Sequence, residues 1–91
     1  MGRQARERPK RLAEKLIQIR SSLGLSQSQM LAKLGLSEKL SRTAISGYEL
    51  GTTEPSLLVL LNYSRLAGVH LETLVDDDLD LPKRLPNRPK H

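Results

Sequence analysis

At 91 residues the chain holds one small domain, because a chain this short buries a single compact core. It contains no cysteine, which excludes disulfides, thiolate metal sites and a cysteine nucleophile. Its only aromatic residues are two tyrosines, Tyr48 and Tyr63, too few to stack single-stranded nucleic acid. The N-terminus is charged and lacks the apolar stretch of a signal peptide, and no apolar run nears the roughly 18 residues of a membrane span. A cytoplasmic protein without membrane contact is the expectation.

The net charge of +5 is unevenly placed. Residues 1–20 carry seven Lys or Arg against two Glu, and residues 21–75 balance to zero. Asp76, Asp77, Asp78 and Asp80 then precede Lys83, Arg84, Arg88 and Lys90. A basic end on a neutral domain points to a polyanion such as nucleic acid, or else is only a solvated tail.

Five helices are predicted in chain order, an all-α bundle with an aliphatic core. The first starts at Arg8 or Pro9 and runs to Ser22, with Leu12, Leu16, Ile19 and Leu23 on one stripe and Gly24 as its stop. The second opens at Ser26, whose capping-box partner is Gln29, turns Met30, Leu31 and Leu34 inward and ends at Gly35. The third spans residues 41–50, capped by Ser41 and stopped by Gly51. Residues 52–55 form a loop, because the residue before Pro55 is pushed out of the helical region. Ser56 caps a fourth helix that ends at Gly68, and residues 71–75 make a short fifth. The apolar period then stops, and Pro82, Pro86 and Pro89 among alternating charges read as a flexible tail. The expected organisation is a basic arm over residues 1–8, the domain over 9–76 and a Pro-rich charged tail over 77–91.

Two short helices around a Gly-containing turn, the later one rich in small polar side chains, form a helix-turn-helix pattern. At about 100° per residue, Arg42, Ser46, Thr43 and Gly47 fall on one side of the third helix, and Ala44, Tyr48 and Ile45 on the other. A helix entering the major groove of double-stranded DNA needs such a face: slim side chains for close approach and donors that reach base edges. Gly47 in a helix costs about 1 kcal/mol relative to Ala. Close approach to DNA and simple tolerance explain it equally well.

Other constellations carry little. Asp76, Asp78 and Asp80 mimic the start of a calcium loop, but Leu81 replaces the required Gly and no Glu follows at the twelfth position. The acidic run is read as repelling the tail from DNA or as solvated. His70 and His91 are too few for a zinc site, and no catalytic set is visible, so neither cofactor, metal nor enzymatic activity is expected. The fourth helix has more apolar residues than one face needs, among them Leu57, Leu58, Leu61 and Leu66. A two-fold homodimer would hide them and match a palindromic site; otherwise the tail folds back, with Leu79, Leu81 and Leu85 as plugs.

Five stretches taken together resemble the Cro/lambda-repressor-type helix-turn-helix family, also called the XRE family. They are Arg20-Ser21-Ser22-Leu23-Gly24-Leu25-Ser26-Gln27, Leu31-Ala32-Lys33-Leu34-Gly35-Leu36-Ser37, Ile45-Ser46-Gly47-Tyr48-Glu49-Leu50-Gly51, Pro55-Ser56, and Gly68-Val69-His70-Leu71 followed by Leu74. They span about 55 of the 91 residues. The resemblance implies a transcriptional regulator in which Gln27, at the start of the second helix, contacts a phosphate. It also implies an ion pair between Arg20 and Glu49 that fixes the first helix against the third.

The sequence departs from the family pattern in two places. Gly35 to Ile45 is ten residues where about six are usual, so four within residues 36–41 are extra. Either they lengthen the turn, which is the favoured reading, or the third helix starts near Ser37, gains about 6 Å at 1.5 Å per residue, and places Glu38 where phosphates lie. Leu50 replaces the usual polar residue before the glycine, which puts a phosphate contact there in doubt. The resulting expectation is a sequence-specific repressor or autoregulator that reads DNA with Gln27, Arg42, Thr43, Ser46 and Gly47. Its rivals are an antitoxin or adaptor that holds a protein partner, and nonspecific nucleic-acid binding by the basic arm alone.

Overall fold

Leu12, Leu16 and Ile19 recur at helical spacing, and in the computed structural model, which describes residues 8–86, they form the buried stripe of α1 (Leu12–Leu23). The helix starts later than the position of Pro9 suggests. Its N-cap, Arg11, makes no side-chain cap of its own. The Asp77 carboxylate instead accepts from the backbone N–H of Lys10 at 2.9 Å and of Arg11 at 3.0 Å. A cap supplied from the far end of the chain sets this boundary, and no local signal encodes it. Gly24, at φ 69°, closes α1 in the left-handed conformation.

The second helix, α2 (Gln27–Lys33), opens with the expected capping box: Ser26 Oγ accepts from Gln29 N–H, and Gln29 Oε1 accepts from Ser26 N–H. The four extra residues go into a longer turn. Lys39 and Leu40 N–H both donate to Leu36 O, and Leu36 and Leu40 pack against the core. That anchorage lets α3 (Arg42–Leu50) begin where the shorter helix predicts. Ser41 is its N-cap, but through backbone conformation only, with no side-chain bond. The fourth helix, α4 (Leu57–Ala67), is capped by Ser56 Oγ accepting from Val59 N–H, and α5 (Leu71–Val75) follows.

Helix α1 packs against α3, α4 and α5, while α2 packs on α3. The buried hydrophobic side chains are aliphatic apart from Met30, Tyr48 and Tyr63. There is no strand among the described residues, and no described helix is long and apolar enough to cross a membrane.

Beyond residue 76 the chain packs back onto the domain. Leu81 joins the core at 6% exposure, Leu85 packs against it, and Pro86 lies beside Gly68. The acidic run is engaged: besides the Asp77 cap, Asp80 pairs with the Arg11 guanidinium, which also donates to Asp77 O. Asp77 is therefore more than a solvated carboxylate, while Asp80 pairs with Arg11 and stays 78% exposed. Of the three leucines considered as plugs, Leu81 is buried and Leu85 packs against the core, whereas Leu79 stays 38% exposed; Leu57 and Leu58 of α4 are 67% and 71% exposed. Most of the basic arm, residues 1–7, and residues 87–91 lie outside the described residues.

Lys15 is the unforeseen member of the core. It stands three residues after Leu12 and four before Ile19, on the apolar stripe, and is 1% exposed. Its Nζ donates to Thr73 O at 2.8 Å and Asp76 O at 2.9 Å, tying α1 to carbonyls in α5 and at its C-cap. Desolvation lowers its pKa from the ordinary lysine value.

Candidate nucleic-acid interface

The inner face of α3 anchors it. Ile45, Tyr48 and Glu49 are buried and Ala44 is half-buried. On the opposite side Arg42 and Thr43 are exposed, and Ser46 and Gly47 are half-buried. Arg42 forms no ion pair among the described residues, so its guanidinium is free to take an external acceptor. Leu50, 73% exposed and two turns on from Arg42, adds apolar surface to this side. At about 100° per residue Leu50 falls on the same side of α3 as Thr43.

The orientation of this helix depends on one carboxylate. Arg20 Nε and Nη2 donate to the two oxygens of Glu49 at 2.7 and 3.0 Å, a two-pronged pair between α1 and α3. Arg20 Nη1 also donates to Leu25 O at 3.0 Å, on the turn into α2. Hydrogen bonding to Glu49 raises the Arg20 pKa above its ordinary value. The pair implied by the family resemblance is therefore present.

Gln27 completes this network. Its Nε2 donates to Glu49 Oε1 at 3.1 Å, which holds the start of α2 beside α3. The side chain is half-buried, and one of its polar ends is occupied within the protein. The structure thus brings Gln27 to the helix that carries Arg42, Thr43 and Ser46.

Gly47 has a close neighbour within the chain. Thr52 and Thr53 N–H both donate to Gly47 O, at 3.0 and 3.3 Å, so the loop after α3 folds back across this turn of the helix. A Cβ at position 47 would collide with Thr53 Oγ1. The loop, invisible to a helical wheel, is the neighbour that a larger side chain would meet first.

The arrangement is a braced helix with one anchored face and one solvent-facing edge of small polar groups and a cation, geometry that suits insertion into a groove. A model of the helix-turn-helix family matches residues 10–74, which is more than half of the chain. No curated protein and no solved structure gives a significant match. With its five helices in the expected order and the α1–α3 ion pair in place, the chain belongs to the Cro/lambda-repressor-type helix-turn-helix family, whose members bind DNA and commonly regulate transcription.

Proposed function

We propose that the protein binds double-stranded DNA sequence-specifically and acts as a transcriptional repressor or autoregulator. In this reading α3 enters the major groove. Arg42, at its N-terminal end, pairs with the two acceptors of a guanine, while Thr43 and Ser46 offer hydroxyls or a methyl contact to neighbouring bases. Gln27 and the start of α2 take a phosphate, and Gly47, next to Ser46 on α3, contributes backbone alone to the contact. The single observation that carries this reading is that Arg42 and Thr43 are exposed on a helix whose other face is buried and braced by the Glu49 network. The basic residues Arg3, Arg6 and Arg8 add sequence-independent contacts to phosphates or the minor groove.

Self-association belongs to the same proposal. Leu57 and Leu58 are 67% and 71% exposed, and a second copy covering them would bring two recognition helices to one site.

Selection of bound fragments from random DNA by the full chain tests the proposal. Enrichment of a defined half-site is the expected result. Binding that is strong, falls steeply with salt and enriches no sequence would reduce the protein to a nonspecific binder.

A further inference from the structure

Leu50 is the most exposed large apolar side chain among the described residues, at 73%, and it takes no part in the core. Its neighbours on α3 are the polar residues of the solvent-facing edge. With Arg42 set at zero and about 100° per residue, Ser46 falls at about 40°, Leu50 at about 80° and Thr43 at about 100°. Gly47 follows at about 140°, and there the loop after α3 limits the face. Thr52 Oγ1 donates to Gly47 O, and Thr53 Oγ1 stands against the glycine. The open sector therefore runs from Arg42 to Thr43, and Leu50 lies inside it.

Arg42, Ser46 and Leu50 recur every fourth residue and so form one row along the helix. The row is about 12 Å long at 1.5 Å per residue, the length of roughly three or four base-pair steps of about 3.4 Å. A helix lying along the major groove with Arg42 over one base pair thus carries Leu50 over another, three or four steps away on the same estimate. The leucine side chain has no donor for a phosphate and no acceptor for a base amino group. The thymine C5 methyl is the apolar group that the base pairs display in that groove. Packing the two together removes apolar surface of both from water. A cytosine at the same place would offer an amino donor to desolvate and no methyl.

We propose that Leu50 is a specificity-determining residue that packs on the C5 methyl of a thymine. The proposal rests on the reading of α3 as the helix that enters the major groove. One row of side chains then reads two chemistries, hydrogen-bond acceptors through Arg42 and a methyl group through Leu50.

The test uses the full chain and the half-site enriched from random DNA, with each thymine replaced in turn by uracil. Uracil removes the methyl and keeps the O4 acceptor of the major-groove edge. Fluorescence anisotropy should show an affinity loss of about fourfold at one thymine, the worth of one buried methyl. Leu50→Ala should abolish that response and leave the preference at the Arg42 base pair intact. Leu50 is exposed, and an unchanged melting temperature establishes that the variant is folded. Crossing the base change with the residue change cancels what uracil does to stacking and DNA shape. A thymine response that persists in Leu50→Ala would belong to the Thr43 methyl or to DNA shape and would overturn the proposal. A defined half-site with no response at any thymine would overturn it too, while leaving α3 as the recognition helix. Selection that enriches no sequence would overturn both.

Discussion

Arg20 and Glu49 meet through two parallel hydrogen bonds of 2.7 and 3.0 Å, and the carboxylate that fixes α1 to α3 also accepts from Gln27 on α2. Three helices are thereby registered by one side chain. The Glu49 side chain is 6% exposed and that of Arg20 22%, so the pair lies between the buried and exposed limits. One-sided loss costs about 3–5 kcal/mol for a buried pair and under about 1 for an exposed one. Glu49→Gln should therefore lower stability by about 2–3 kcal/mol in a denaturant melt. An unmoved midpoint would show that the fork does not form in solution.

A second prediction concerns acid. The backbone N–H groups of Lys10 and Arg11 hold the Asp77 carboxyl below its ordinary pKa of 3.8. A carboxylate with a depressed folded-state pKa contributes stability above its unfolded value and loses it as pH falls through the folded value. The wild-type protein should thus lose stability as pH drops below about 4, and Asp77→Asn should be less stable at neutral pH with a flatter acid limb. Thermal melts across pH 2–7 check both, and parallel curves would refute the α1 cap.

The segment after α5 can be tested by contrast. Leu81 is 6% exposed and Leu79 is 38% exposed. Leu81→Ala should cost about 2 kcal/mol or more, and Leu79→Ala less than about 0.5. Equal, small effects would mean that residues 77–86 contribute nothing to the fold.

Tyr63 gives a prediction of opposite sign. It is fully buried, its hydroxyl has no hydrogen-bond partner among the described residues, and burial raises its pKa above the usual phenolic value. Leaving a buried polar group unpaired costs about 1–3 kcal/mol, so Tyr63→Phe should match or exceed wild-type stability. A clear loss in the melt would show that the hydroxyl is bonded in solution.

Recognition itself is tested at Arg42. If its guanidinium reads a guanine, Arg42→Ala should cost about 1–3 kcal/mol on the selected site and relax preference at one base pair, with far less effect on unrelated DNA. Fluorescence anisotropy on both DNAs separates the cases. An equal loss on each would make Arg42 a phosphate contact, and no loss would move the recognition face elsewhere.

Local rules made the helices legible. Apolar residues at helical spacing, the Ser26–Gln29 box and the Gly24, Gly51 and Gly68 stops act within one or two turns of chain, so all five helices could be read in order. The exposed Arg42 and Thr43 followed from the same periodicity. What tertiary structure decided depends on residues far apart in the chain. The start of α1 waits on Asp77, more than sixty residues away, and Lys15 is buried because α5 brings two carbonyls to it. Gly47 is held by a loop folding back over it. The long turn leaves α3 in place because Leu36 and Leu40 find the core. Periodicity reports which face of an element is apolar, but a cap or a buried charge depends on which partner arrives from elsewhere, and only packing brings that partner in.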